Sequence, residues 1–454
     1  MKFEELLKKY DVPVPRYTSY PTVPFWNSTI NIPQWKRVFK NQFLQTNEKD
    51  GISLYIHLPF CESLCTYCGC NKKITKNHGV EEEYIKALIA EWSMYCELMD
   101  EVPVIRELHL GGGTPTFFNP DNLGKLLDAI LDNSIVHADN NFSFEGHPNN
   151  TTEDHLITLY NRGFRRVSFG VQDNNPVVQK AINRIQPLEN VKRVTEQARK
   201  VGFLSVNYDL IYGLPFQTIE SIRKTVTDCI GLQPDRFAFY SYAHVPWTSK
   251  SQRLFSELDL PLADVKLSLY HEGAGLFREH HYQPIGMDHF VLATDDLYKA
   301  YRSGTLHRNF MGYTTQYTQL QLGLGVSAIS DTGNAFAQNN KTLHEYYEII
   351  KKGELPITKG CFLNQEDEIF KRHILDIICN GSTLFGNQYQ EQLQKYSMPI
   401  LEQLQNDGLV ILSRRHVEVT ETGKNFIRNI CSAFDLKQLR SLTDQNRSVY
   451  SQAI

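Results

Sequence analysis

Tyr55-Ile-His-Leu-Pro-Phe-Cys61-Glu-Ser-Leu-Cys65-Thr-Tyr67-Cys68-Gly-Cys70 runs from an apolar stretch straight into a tight set of cysteines. Residues 53–57 read as a β-strand. C-x3-C-x2-C follows directly, so Cys61, Cys65 and Cys68 project three thiolates from one compact loop toward one point. A cubane [4Fe-4S] cluster has four irons, normally held by four cysteines, so three thiolates leave one iron open for another ligand. Two other readings stand beside this one. A zinc site pairs C-x2-C with a second Cys or His pair further on, and no such pair is evident. An electron carrier would use Cys70 as a fourth ligand, an awkward reach from only two residues beyond Cys68.

Outward from that loop, short β-rich runs alternate with amphipathic stretches, the pattern of βα units on a parallel sheet. Strands are expected at 53–57, 107–110, 141–145, 166–170, 206–210 and 236–240. Helices are expected at 82–98, 121–131, 153–162, 188–201 and 218–232. This α/β arrangement predicts a partial (βα)6 barrel over 51–260, with its chemistry beyond the C-terminal strand ends, where the βα loops converge. Residues 1–50 read as an N-terminal arm, proline-punctuated at 13–24. A helix is expected at 262–280, and the polar, glycine-containing stretch 288–325 reads as loops and short helices within a barrel extension over 261–360. From 361 to 454 a helix-helix-hairpin order predicts a mainly helical, winged-helix-like domain.

With 454 residues there is material for two or three domains. A hydrophobic fraction of 41% and a charged fraction of 22% are those of an ordinary globular protein. A net charge of -4 offers no basic field for nucleic acid. The first ten residues mix charges with leucines and form no signal-peptide core, and no run approaches the ~18 apolar residues of a membrane span. A cytoplasmic protein without a membrane partner is expected. Nine cysteines, an odd number in a chain of this length, argue against a disulfide framework. Cys96, Cys229, Cys361, Cys379 and Cys431 sit singly and read as inert thiols.

Tyr67, just before the third cysteine, and the run Gly111-Gly-Gly-Thr-Pro one strand on are typical of radical S-adenosylmethionine (SAM) proteins. Such a glycine run lets backbone groups approach a ligand closely. Arg16-Tyr-Thr-Ser-Tyr-Pro-Thr, the cysteine stretch, Gly170-Val-Gln-Asp, Asp209-Leu-Ile-Tyr-Gly-Leu-Pro and Leu306-His-Arg-Asn-Phe-Met-Gly-Tyr closely resemble oxygen-independent coproporphyrinogen III oxidases. So do Tyr242-Ala-His-Val-Pro, Ile285-Gly-Met-Asp-His-Phe, Gly325-Val-Ser-Ala-Ile-Ser and Arg428-Asn-Ile-Cys, and the likeness spans nearly the whole chain.

The resemblance implies oxidative decarboxylation of two coproporphyrinogen III propionates to vinyl groups in heme synthesis. It implies a [4Fe-4S] cluster on Cys61, Cys65 and Cys68, with Tyr55 and Glu145 at the reacting centre. Tyr55, Gly112, Glu145 and Ile329 would contact the cluster-bound SAM, and Tyr67, Gly113, Thr114, Gln172, Arg184, Asp209 and Ala243 a second SAM. It further implies a low-potential electron-donor protein as partner, and a monomer is expected.

The residues themselves agree in kind. Glu145 and Asp209 end expected strands, where carboxylates can accept from ribose hydroxyls, and Arg184 suits a methionine carboxylate. For a tetracarboxylate substrate, Arg16, Tyr17, Tyr20, His307, Arg308 and Asn309 could supply cations and hydroxyls. Arg16 and His307 would serve equally well to tie arm and C-terminal region to the barrel. After Glu145, Gly146-His147-Pro148-Asn149 replaces the Val-Asp-Pro-Arg associated with well-known members, which puts local contacts in question. Two rival functions share the same core: a heme-binding chaperone and a heme-opening methyltransferase. The relatives acting as chaperones generally lack the Arg16–Thr22 arm and the Cys70 position, and both are present here.

Overall fold

β-Branched and aromatic runs separated by capped helices build the barrel that the sequence predicts. The computed structural model describes residues 2–441 and 450–453. The barrel strands are β1 Ile52–Leu58, β2 Val104–Gly112, β3 Ile135–Gly146, β4 Phe164–Gln172, β5 Ser205–Tyr212 and β6 Arg236–Ser241. All five neighbouring pairs are parallel. The helices between them start on sequence signals. Asn119, Thr152 and Thr218 each accept a backbone N–H of the first turn, at Asp121, His155 and Ser221.

The stretch 288–325 departs from expectation, because it carries strands as well as loops. β7 Tyr282–Ile285 and β8 His289–Leu292 form a hairpin whose second strand pairs antiparallel with β6. β9 Gln321–Leu324 lies parallel to β1, and β10 Ile329–Asp331, β11 Ala335–Asn339 and β12 Ile357–Phe362 continue antiparallel from it. The result is one 12-stranded sheet in the order β12-β11-β10-β9-β1-β2-β3-β4-β5-β6-β8-β7. Edge pairing supplied from far along the chain overrides the polar, glycine-containing composition.

Along β2 to β6 the residues alternate in a consistent way. Leu108, Phe144, Phe169, Tyr208 and Phe237 point outward and are buried against the helices. Each such side chain contributes about 1.5–3 kcal/mol of burial. Inward stand His109, Ser143, Ser168, Asn207 and Arg236. Closed barrels of this type fill their lumen with branched apolar side chains. This one keeps a polar cavity of about 140 Å³.

Residues 1–50 do not stand apart as one arm. Helix Ile32–Asp50 packs on the barrel core through Trp35, Phe39 and Phe43. Leu6, Leu7, Tyr10, Tyr17 and Tyr20 belong to a second core, with helices Gln365–Asn380 and Met398–Asn406 and a three-stranded sheet. Of the region expected over 361–454, residues 442–449 and Ile454 lie outside the described residues, as does Met1 of the expected arm. Both chain ends meet there: the Val14 N–H donates to Ser451 O at 3.2 Å, and the Ala453 N–H to Val12 O at 3.0 Å. The Arg428 guanidinium joins them, donating to Val14 O and, at 3.0 Å, to Ala453 O.

Candidate active site at the C-terminal end of the barrel

Beyond β1 the chain turns at Pro59 into Phe60–Cys61, and this segment is clamped by the glycine run that ends β2. The Gly113 N–H donates to Leu58 O at 2.8 Å and the Thr114 N–H to Phe60 O at 3.0 Å. A Cβ on Gly113 would lie 2.6 Å from the Pro59 carbonyl carbon, so only glycine allows this approach. Gly112, at φ +116°, sits where a Cβ would meet the His57 ring at 2.6 Å.

Cys61, Cys65, Cys68 and Cys70 face a cavity of about 490 Å³. Tyr67, Gly112, Gly113, Thr114, Glu145, Gln172, Arg184 and Asp209 line the same cavity. The expected residues therefore converge from five different strands and loops. Burial pushes the Cys61 thiol up to about 11, although Thr114 Oγ1 donates to it at 3.3 Å. Cys68 is brought down to about 6, chiefly by a hydrogen bond from the Cys70 thiol. Arg184 Nη1 donates to Cys65 Sγ at 3.6 Å and Nη2 to Gly170 O at 2.6 Å. Its buried Nε has no partner, leaving a donor for an incoming anion.

Among the described residues no three His, Cys, Asp or Glu side chains converge closely enough for a single metal ion. A cubane cluster binds each cysteine to a separate iron. Three thiols ringing a cavity with cationic and hydroxyl neighbours fit that group in their donor chemistry.

Glu145 is half-exposed to the cavity, and the partial desolvation there works to raise its pKa. The His109 imidazole, with Nε2 3.5 Å from Oε1, and the Gly112 N–H at 3.2 Å from Oε2 outweigh that and hold it below the usual carboxylate value. His109 is fixed in turn by Ser143 Oγ at 2.8 Å and by stacking on Tyr55. Asp209 goes the other way. Burial raises it to about 6, against the hydroxyl of Ser168 donating at 2.8 Å. Glu145, Asp209 and Tyr240 line both this cavity and the polar lumen beneath it.

Three expected residues lie behind the cavity wall. Tyr55 backs Glu145 across Gly111, where an added Cβ would meet both side chains at 3.1 Å. Ile329 crosses over Gly323, the residue paired with Tyr55. Ala243 is tied to Tyr67 through Gln252, whose amide donates to the carbonyls of both, at 3.2 and 2.8 Å. His109 and Gln252 were not anticipated. His109 was open to detection, two residues before Gly111 on the same strand face, whereas nothing in the sequence marks Gln252.

The substrate candidates are not gathered here. Tyr17, Tyr20, His307, Arg308 and Asn309 line a separate cavity of about 540 Å³ between the barrel and the second core. Arg308 donates to Tyr17 O at 3.0 Å, and the Tyr17 hydroxyl to Asp435 at 3.2 Å. Burial lowers His307 to about 4. Arg16 faces a third cavity and donates to Ser241 O. In this geometry Arg16, Tyr17 and Arg308 tie the N-terminal segment to the body of the protein.

An open parallel barrel with a three-cysteine loop after β1 and a glycine clamp after β2 defines the radical SAM class. Residues 55–229 match the Radical SAM superfamily. The chain is 36% identical over 461 residues to the oxygen-independent coproporphyrinogen III oxidase of Pseudomonas aeruginosa, covering 99% of this chain and 98% of the relative. It is 38% identical to the protein of the same name from Helicobacter pylori, over 95% of this chain and 96% of the relative. The solved coproporphyrinogen III oxidase of Escherichia coli, described as a radical SAM enzyme, superposes with a TM-score of 0.86 at 37% identity, over 93% of this chain and 97% of that one. The chain belongs to the family of oxygen-independent coproporphyrinogen III oxidases. It is an oxidoreductase whose cofactors are a [4Fe-4S] cluster and SAM.

Proposed function

We propose that this chain converts two propionate side chains of coproporphyrinogen III to vinyl groups, giving protoporphyrinogen IX. The observation that carries it is the convergence of Cys61, Cys65, Cys68, Glu145, Arg184 and Asp209 on one cavity, in a chain alike to enzymes of that name along its whole length. Cys61, Cys65 and Cys68 hold the cluster, which when bound supplies the electron that cleaves SAM to a 5'-deoxyadenosyl radical. Gly112 and Glu145 orient the SAM on it, with Tyr55 and Ile329 backing them from behind the wall. Glu145, ionised at neutral pH, accepts from ribose hydroxyls, a charge-assisted pairing stronger than a neutral one. Tyr67, Gly113, Thr114, Gln172, Arg184 and Asp209 form the wall for a second SAM, with Ala243 supporting Tyr67 from behind, and the SAM carboxylate would meet the free Arg184 donor. His147, facing the same cavity beside Arg184, is kept neutral by burial and by that guanidinium. It therefore adds a neutral hydrogen-bonding group where an acidic residue would repel the ligand.

The substrate propionates would be met by Tyr17, Tyr20, His307, Arg308 and Asn309, with Arg16 holding the segment that carries the tyrosines. We further assign the protein to the cytoplasm, as a monomer reduced by a low-potential carrier protein. No helix among the described residues is long and apolar enough to cross a membrane. The test is an anaerobic assay of iron-reconstituted protein with coproporphyrinogen III, SAM and dithionite, read by mass spectrometry. Loss of two carboxyl groups with formation of 5'-deoxyadenosine is expected. Tight heme binding without turnover, or a linear tetrapyrrole product, would refute the reading.

A further inference from the structure

Each SAM cleavage in the proposed reaction consumes one electron at the cysteine loop, and that electron must enter from outside the barrel. We propose that the groove beside this loop, walled by Lys72, Lys73, Lys341 and Lys351, is the docking surface for a small, acidic, low-potential one-electron carrier protein. The inference rests on the cluster reading above and adds the place where its partner binds.

Position comes first. The strand Lys73–Ile74 pairs in parallel with Phe60–Cys61, Ile74 lying opposite Cys61. The Lys73 N–H donates to Pro59 O at 2.8 Å and the Thr75 N–H to Cys61 O at 2.9 Å. Lys73 and Ile74 are both exposed, so the protein surface here is one inter-strand step, roughly 4.8 Å, from the backbone of a cluster ligand. Lys72 Nζ donates to Cys68 O at 2.8 Å, and Asn71 Nδ2 to Lys341 O at 3.0 Å, which joins the far wall of the groove to the same loop.

Charge and shape agree with that position. The groove encloses about 580 Å³. Lys351 is shared between Glu348 at 3.3 Å and Glu83 at 4.0 Å, whereas Lys73 and Lys341 have no acidic partner among the described residues. The chain as a whole carries a net charge of -4, so this cationic edge runs against the background. Ile74, 38% exposed, and Tyr347 give it an apolar contact. Complementary charge around such a patch mainly raises the association rate and makes it salt-sensitive. Groove and active-site cavity have only Lys72 in common among their lining residues, so a docked carrier leaves the substrate side open. In the transfer the carrier is oxidised by one electron and the cluster reduced by one, with no bond formed or broken.

The test uses the full chain and an acidic flavodoxin in its hydroquinone form. Two quantities are measured at low salt: flavodoxin affinity of the protein as purified, by fluorescence anisotropy, and the rate of cluster reduction, by anaerobic stopped flow. The K73E/K341E variant is expected to lose affinity and reduction rate on the order of tenfold, with the salt dependence flattened. K73R/K341R should retain both. Reduction by dithionite, and the SAM cleavage it supports, should be equal in all three proteins. Unchanged flavodoxin affinity in K73E/K341E overturns the proposal, as does a wild-type cluster that dithionite reduces but flavodoxin does not. A wild type that cleaves no SAM even with dithionite would sink the cluster reading instead, and the affinity series on the purified protein would still decide the docking surface.

Discussion

Replacing Gly113 by alanine isolates the contact between the glycine run and the cysteine-bearing segment. The new Cβ would lie 2.6 Å from both the carbon and the oxygen of the Pro59 carbonyl and 2.9 Å from Phe60 O, where ordinary contact begins at 3.4 Å. All three are backbone atoms, so no side chain can swing away, and the two segments must part by roughly 0.8 Å. Overpacking of this kind costs about 1–3 kcal/mol. The hydrogen bonds from Gly113 to Leu58 and from Thr114 to Phe60 cross the same contact. Weakening both adds about 0.5–1.5 kcal/mol each, for a total of about 2–6 kcal/mol. Since the parted segment leads into Cys61, G113A should also hold less cluster. The assays are urea unfolding of the apoprotein and iron and sulfide content after anaerobic reconstitution. Gly275, on helix Ala263–Glu279 with nothing within 4 Å of an added Cβ, is the control. G275A should be neutral or gain up to about 1 kcal/mol in helix propensity. A G113A protein with full iron content and a stability loss under about 1 kcal/mol would refute the clamp.

Asp209 titrates at about 6 because burial disfavours its charge, so its contribution is full below the ordinary carboxylate pKa, near 4, and is lost as the pH rises through 6. D209N apoprotein should be more stable than wild type by roughly 1–2 kcal/mol at pH 8 and no different at pH 4 by thermal unfolding, while binding SAM more weakly. H109A should raise the SAM dissociation constant by about five- to tenfold in calorimetry, through a mobile Glu145, and H109Q should restore most of it. R428A removes a half-buried guanidinium serving carbonyls of both chain ends. We expect a loss of about 3–5 kcal/mol and protease cleavage within the first 20 residues, detectable by limited proteolysis with N-terminal sequencing.

The barrel and its site were legible where local pattern and chemistry coincide. The strands at 53–57 and 206–210 need only their own apolar content, and the cysteine and glycine motifs carry their meaning in adjacent residues. The strands in 288–362 were hidden because β9 to β12 owe their state to pairing across the sheet. Arg308 shows the limit for single residues. Its motif suggests a ligand for carboxylates, yet its donors go to Arg16 O and Tyr17 O, partners almost 300 positions away. The polar inner face of β2 to β6 could have been seen, since His109, Ser143, Ser168 and Asn207 alternate with large apolar residues. That pattern marks a wet lumen.

The pairing of the two chain ends sets an order of events during synthesis. Leu6, Leu7, Tyr10, Tyr17 and Tyr20 complete a core whose other members run to Leu436, and the hydroxyl of Tyr17 ends on Asp435. At roughly 5–20 residues per second, about 20–80 s separate the emergence of Tyr20 from that of Asp435. Throughout that interval the barrel can close, but the apolar face of the first helix, Phe3–Tyr10, has nothing to cover it. The nascent chain therefore carries a sticky leading segment that a holding chaperone is suited to occupy, and a ribosome stalled anywhere before Asp435 leaves it uncovered.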